Sequence, residues 1–379
     1  MTLPTFPLET TTPAQTALRE EVRAFLADAL VDLPARERAR SWVGFDADFS
    51  AALGQRGWLG MTLPTAYGGH GRNAVDRHIV VEELLAAGAP VAAHWIADRQ
   101  SAPLILRHGT EEQRQTILPR IAAGTCFFGI GMSEANSGSD LASVRTKAEE
   151  TGDGYVLNGT KLWTTYGHKA HYMIVFCRTS KSDDRHGGFS QVLVDMSLPG
   201  ITVSPVLDIA GEHHFNEVSF DNVALPLDAL LGKEGDGWAQ VISELAFERS
   251  GPDRFLSSYV LIEELLRCLK RASSAGSETT DLGRMIARLM VLRQMSLSVA
   301  GRLARGEQPV LAAAIVKDLG ALFEQDVPEI ARRVLRDDAA DPEYAAVFQR
   351  ILLAAPCFSL RGGTREILRG IIARGLGLR

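Results

Sequence analysis

The chain has 379 residues, 46% hydrophobic and 23% charged, with 40 Lys+Arg against 46 Asp+Glu for a formal charge of −6. That length accommodates two or three packed units, and a mean hydropathy near zero excludes a chain too polar to bury a core. The mild acidity argues against a broad nucleic-acid surface. No apolar run approaches the roughly 20 residues of a membrane helix. The opening MTLPTFPLET lacks the basic start and long apolar core of a secretion signal. Cys126, Cys177, Cys268 and Cys357 are too scattered for a C-x2-C metal pair or a disulfide framework, so a reduced, cytoplasmic protein with no structural metal is expected.

The first third has helical periodicity. In PAQTALREEVRAFLADAL, Leu18, Val22, Phe25 and Leu26 recur near spacings of three and four and form one apolar stripe. Proline and paired glycines in WLGMTLPTAYGGHG interrupt the pattern, which returns in VDRHIVVEELLAAGA and around EEQRQTILPRIAAG. A helical domain over residues 1–124 is expected.

The period then changes. CFFGIGM, SVRTKAEE, GYVLNGTKLWTT, HYMIVFCRT, FSQVLVDM, ITVSPVL and NEVSFDNVAL are short, rich in β-branched or aromatic residues and separated by turns. Their spacing leaves no room for crossover helices. Residues 125–228 are therefore expected to form an antiparallel sheet or small barrel, not a doubly wound sheet. Beyond LGKEGDGW the helical period resumes over 237–250, 254–272, 281–305, 310–336 and 342–356, which predicts a C-terminal bundle over 229–379. The fold class is α+β, in the order helical, β, helical.

Two stretches of the middle region carry chemistry. From Ile130 through Gly131, Met132, Ser133 and Glu134 to Gly138, Ser139 and Asp140, a strand runs into a turn of small polar residues. Such a turn can surround a phosphate or heterocycle with backbone N–H groups and hydroxyls, but a purely structural turn explains it as well. In Asn158–Thr165, Trp163 and Thr165 stand two apart, hence on one face of a strand. An indole wall beside a hydroxyl donor suits an isoalloxazine ring; a core tryptophan is the alternative.

Taken together and in this order, SEANSGSD and NGTKLWTT resemble the T/S-E-x-x-x-G-S-D and N-G-x-K-x-W-x-T motifs of the acyl-CoA dehydrogenase family. PTAYGGHG, FNEVSFDNVALP and GGTREILRGIIARGLGL extend the likeness over essentially the whole chain. The resemblance implies the helical–β–helical organisation, FAD as cofactor and α,β-dehydrogenation of an acyl-CoA. It implies that Ile130, Gly131, Met132, Ser133, Gly138 and Ser139 line the flavin and its ribityl-pyrophosphate, with Ser139 also near substrate. Trp163 and Thr165 would flank the ring, and Thr364 and Glu366 would hold C-terminal cofactor positions.

The family reaction needs a carboxylate at the substrate α-carbon. Many relatives carry it in a C-terminal Y-E-G-T motif, but here the corresponding run is Leu360, Arg361, Gly362, Gly363, Thr364, with glycine at the glutamate position. A subset of relatives carries the base in L-x-x-E-R, which stands here as Leu245 to Arg249 and assigns the base to Glu248. The bland reading of Glu248 and Arg249 is an ordinary surface pair on a helix. Glu244, one turn earlier, is a weaker substitute. Arg249 would orient Glu248 or shape the acyl-CoA site. Arg361 could pair with an acidic group, read a polar acyl chain or serve an interface.

The R-x-x-F-G and Q-x-x-G-G segments, by which homo-oligomeric relatives reach the ADP portion of FAD across a subunit interface, are not recognisable. The resemblance to bacterial steroid side-chain dehydrogenases therefore implies a heterotetramer in which a second related subunit completes the cofactor site. A homo-oligomer with divergent contacts is the alternative. An electron-transfer flavoprotein is the expected acceptor. A flavin monooxygenase on the same fold and a non-catalytic accessory subunit are the competing functions.

Overall fold

The computed structural model describes residues 3–272, 278–335 and 340–378, without the side chains of residues 244–248, 272 and 278–279. Two compact units are distinguishable. One gathers residues 1–46, 72–92 and 246–379; the other gathers 47–71 and 93–245.

The first unit is helical. It contains α1 (Pro13–Ala29), α2 (Ala35–Arg38) and α4 (Ala74–Ala86), with α3 (Ala47–Gln55) falling between them in the chain but in the second unit. Thr12 starts α1 with a capping box against Gln15, and Asn73 caps α4 through the N–H groups of Val75 and Asp76. Leu18, Val22 and Leu26 form the buried stripe of α1, while Phe25 is only partly covered.

After α5 (Ala92–Ile96), α6 (Ala102–His108), α7 (Glu111–Ala122) and α8 (Gly237–Glu248), the unit resumes with α9 (Tyr259–Ala272), α10 (Glu278–Ala304), α11 (Val310–Val334), α12 (Pro342–Phe358) and α13 (Arg365–Gly375). Helix α9 begins five residues later than the periodicity predicts, because Gly251 and Pro252 open a 3-10 turn over Pro252–Arg254. The terminal motif GGTREIL resolves into a helix start: Gly362 and Gly363 take left-handed φ of 69° and 95°, and Thr364 caps α13.

The second unit is built on a seven-stranded sheet: β1 (Phe128–Gly131), β2 (Lys147–Thr151), β3 (Gly154–Thr165), β4 (Tyr172–Arg178), β5 (Phe189–Asp195), β6 (Ile201–Leu207) and β7 (His213–Pro226). The order is β1-β4-β2-β3-β7-β6, with β5 on β4. Antiparallel pairing holds for β2–β3, β3–β7, β4–β5 and β6–β7. β1 departs from the antiparallel expectation and joins β4 in parallel, Phe128 opposite Tyr172 through Gly131 opposite Val175. The long intervening excursion through β2 and β3 supplies the crossover that a parallel pair requires.

Alternation packs Tyr155 and Leu157 of β3 against Val218, Phe220, Val223 and Leu225 of β7. Helix α8 starts against β5 at a glycine for steric cause: a Cβ on Gly237 would lie 2.6 Å from the backbone of Ser190.

Candidate active site

The two middle-region motifs are one structure, joined by an ion pair whose lysine is buried. Lys161 of β3 is fully buried; its Nζ donates to Glu134 Oε1 at 2.9 Å and to the Met132 carbonyl at 3.0 Å. The Leu162 N–H donates to the Ser133 carbonyl at 2.9 Å. Glu134 also accepts the N–H groups of Arg145 (2.7 Å) and Thr146 (2.9 Å), so one carboxylate ties three chain segments.

Burial tends to raise the Glu134 pKa, but Lys161 and these hydrogen bonds outweigh it and hold the carboxyl below its usual range. Gly131 is required by the same packing, since a Cβ there would sit 2.3 Å from Met173 Cε and 3.0 Å from Lys161 Cγ. Neither Lys161 nor Glu134 is assigned a role by motif reading. The available signal was a lysine in the middle of a strand-forming run, between Thr160 and Leu162, which needs an acceptor if it is buried.

Beyond Glu134 the turn is narrow, with reciprocal backbone bonds between Glu134 and Ser137 and the Ser137 hydroxyl donating to the Asp140 carbonyl at 2.8 Å. Gly138 and Ser139 project at its exposed tip, whereas Ile130, Met132 and Ser133 are half-buried beside the Lys161 anchor.

Trp163 and Thr165 stand on a bulge, not on a regular strand. Between the pairs Lys161–Val218 and Thr164–Asn216, β3 carries one residue more than β7, and Trp163 takes φ of +66°. A left-handed aromatic residue costs of order 1–3 kcal/mol and persists where the surroundings hold it. The simple two-residue alternation therefore fails locally, yet Thr164 is buried while Trp163 and Thr165 are not. Trp163 is 54% exposed, and its ring stands perpendicular to that of Phe215 with centroids 5.7 Å apart.

A polar depression of about 510 Å³ adjoins the turn, lined by Ser143, Arg145, Arg178, Ser182, Asp184 and Arg185 among others. Arg185 reaches Asp140 Oδ1 at 2.7 Å. On the β6–β7 hairpin, Asp208, Glu212 and His214 bring possible metal ligands within 4.8 Å of one another. Asp208 Oδ1 is already engaged there by the N–H groups of Ala210 and Glu212.

The expected base belongs to the helical unit. Backbone α8 extends through Glu248, while the side chains of Glu248 and Glu244 lie outside the described residues. Arg249, the next residue, is buried, and its Nε donates to the Gly362 carbonyl at 3.3 Å. The L-x-x-E-R arginine thus touches the backbone at the position where the Y-E-G-T motif has its glutamate.

Arg361 turns inward. Its Nη2 pairs with Glu324 Oε2 at 2.9 Å and donates to the Asp253 carbonyl at 2.7 Å and the Ser257 hydroxyl at 2.6 Å. Lys317 belongs to the same buried group and donates to the Phe358 carbonyl at 2.9 Å. Burial, Arg254 and Arg361 push its pKa down to about 7 against the pull of Glu324 and Asp253. Thr364 is the α13 cap, accepting from the Ile367 N–H, and Glu366 stands in the first helical turn. Of residues 272–276, where the R-x-x-F-G segment would fall, 273–276 lie outside the described residues.

Three family models match the chain in succession: the acyl-CoA dehydrogenase N-terminal domain at residues 12–125, middle domain at 129–223 and C-terminal domain at 235–377. The chain belongs to the acyl-CoA dehydrogenase family. Acyl-CoA dehydrogenase IpdE1 of Mycobacterium tuberculosis is 33% identical over 95% of this chain and 97% of its own length. FadE26 of the same organism is 31% identical over 97% and 98%.

Among solved structures, the Tcur3481-Tcur3483 steroid ACAD superposes with a TM-score of 0.87 at 26% identity, covering 98% of this chain and 99% of that one. The ChsE4-ChsE5 complex from Mycobacterium tuberculosis gives 0.84 at 31% identity, with the same coverage. The activity is the family's: FAD-dependent dehydrogenation of an acyl-CoA thioester to the enoyl-CoA. The residues fit FAD, because an exposed indole held in strained backbone beside Thr165 offers the apolar wall that a flavin ring needs. Likeness to a chain of a two-component complex supports partner binding in general terms. Among the described residues no helix is long and apolar enough to cross a membrane.

Proposed function

We propose that this enzyme dehydrogenates a bulky acyl-CoA, such as one bearing a steroid side chain, with Glu248 as the base that removes the α-proton. The exposed Trp163, fixed by the Lys161–Glu134 pair, carries the cofactor half of this reading. Trp163 and Thr165 flank the flavin ring. The turn from Ile130 to Ser133 with Gly138 and Ser139 lines its ribityl-pyrophosphate, Ser139 also meets the substrate, and Thr364 and Glu366 contribute from the α13 start. FAD supplies, when bound, the acceptance of the β-hydride.

Glu248 takes the α-proton onto its carboxylate while developing negative charge on the thioester oxygen is met by hydrogen-bond donors. Arg249, bonded to the Gly362 carbonyl, fixes the chain directly after Glu248. The steroid preference is supported by the steroid ACAD likeness. The ChsE4-ChsE5 likeness supports a heterotetramer in which a related subunit completes the FAD site. An electron-transfer flavoprotein in the cytoplasm takes the electrons onward. The domain limits proposed are 1–124, 125–228 and 229–379.

The test is anaerobic titration of the holoprotein, alone and co-purified with a related subunit, with a panel of straight-chain and steroid acyl-CoAs. Bleaching of the flavin with stoichiometric enoyl-CoA, faster for the bulky esters, is the expected result. Hydroxylated product formed only with oxygen, or no reaction of either preparation, would overturn the reading.

A further inference from the structure

Where the Y-E-G-T motif would carry its base, this chain has two glycines with left-handed backbone, φ 69° at Gly362 and 95° at Gly363. A side chain there is strained, so the loop is not built to present a carboxylate. It instead grips the segment that follows Glu248. Arg249 donates to the Gly362 carbonyl, and Arg361 donates to the Asp253 carbonyl and the Ser257 hydroxyl. Glu324 of α11 completes the grip, accepting Arg361 on one oxygen and the Ser257 N–H on the other at 2.8 Å.

Residues 249, 253 and 257 are thereby held at three points, four residues apart. Glu324 and Ser257 are buried, and the Arg361 guanidinium lies over the rings of Trp42 (4.5 Å) and Phe358 (5.1 Å), which fixes its plane. Hydrogen bonds to charged groups in so dry a place are strong and directional.

We propose that Arg361 is a positioning residue for proton abstraction: it locks the segment from Asp253 to Ser257 that follows α8 and so sets where Glu248 meets the substrate α-carbon. This rests on the reading of Glu248 as base. The loop that holds the base in other relatives has, on this view, become its clamp. A base that must stay in a near-attack position loses about tenfold to a hundredfold in rate from a displacement near 1 Å.

Proton abstraction can be followed apart from oxidation. In a 3-thia-acyl-CoA, sulfur replaces the β-carbon, so no β-hydride can leave. The α-proton can still pass to the base and be replaced by deuterium from D2O, restoring the starting thioester. Exchange would be measured by NMR for the wild type and for Arg361→Ala, Arg361→Lys, Ser257→Ala and Glu248→Gln, with flavin content and analogue affinity in parallel.

The expected results are exchange at least about tenfold slower in Arg361→Ala, partial recovery in Arg361→Lys, a smaller loss in Ser257→Ala, and flavin content and analogue affinity unchanged. If Arg361→Ala does not fold, Arg361→Lys and Ser257→Ala carry the same test. Wild-type exchange in the Arg361 and Ser257 variants, with Glu248→Gln silent, overturns the clamp and leaves the base standing. Wild-type exchange in Glu248→Gln overturns the base assignment and the clamp with it.

Discussion

Of the chain's seven lysines two are buried, one in each compact unit, and their surroundings differ in kind. Lys161, in the β unit, faces the carboxylate of Glu134 and one carbonyl. Lys317, in the helical unit, donates to a carbonyl and lies in the field of Arg254 and Arg361 as well as Glu324 and Asp253. Burial lowers the pKa of both, but Glu134 opposes this at Lys161, whereas the two arginines reinforce it at Lys317. The first lysine is a weld whose charge is required by its partner. The second is a cation its neighbours disfavour, so its loss should be tolerated where the loss of the first is not.

Lys161→Met should have the largest effect. It leaves the half-buried Glu134 without its cation, at a cost of up to about 3 kcal/mol, and frees the Met132 carbonyl from β3. Denaturant unfolding should show that loss, and the purified protein should be depleted in flavin. Replacing Glu134 by leucine in the same chain should recover part of the stability, since a buried pair exchanged for apolar residues is often near neutral. A single mutant as stable as the wild type would remove the weld from the account.

A third buried basic group tests whether burial by itself has the effect ascribed to it. His78 of α4 is buried, with Nε2 4.0 Å from Glu82, and burial lowers its pKa to about 4, opposed by Glu82 and assisted by Arg293. Because the folded value lies below the unfolded one, the unfolded chain takes up a proton below pH 6.5 that the folded chain refuses until about pH 4. Stability should therefore fall across that window by up to roughly 3 kcal/mol, and His78→Asn should flatten the fall. Unfolding curves between pH 7 and 4 that match in the two proteins would contradict it.

The exposed face of the weld carries a smaller effect. Trp163→Ala should weaken flavin binding by about tenfold, or 1.4 kcal/mol, with a shifted flavin spectrum, and fluorescence titration measures it. Lys317→Met should have the smallest effect, within about 1 kcal/mol of the wild type. Its signature is in pH dependence. With a folded pKa lowered to about 7 from 10.5, the cost of the charge is present in full below pH 7 and is relieved as pH rises toward 10.5. That rise in stability should disappear in the variant.

The helical–β–helical order was legible because apolar period is a local property, and Leu18, Val22 and Leu26 occupy the buried stripe their spacing indicates. The parallel pairing of β1 was not, since it depends on a partner more than 40 residues away, as Phe128 and Tyr172 show. At the site, the motif singled out Trp163 as the proposed flavin neighbour but gave no sign of its bulge: the extra residue becomes visible only against β7. Glu134, Lys161 and the grip of Arg361 on residues 253 and 257 were illegible for the same reason. A buried charge announces that it needs a partner, and only the fold says which one.

The claim on which the rest depends is that Glu248, and no group in the Gly362–Gly363 loop, removes the α-proton. Stopped-flow bleaching of the flavin by a substrate acyl-CoA, without oxygen, in Glu248→Gln tests it directly. A full flavin complement and bleaching about 10²–10⁴-fold slower than in the wild type are expected. Bleaching at the wild-type rate would contradict the claim.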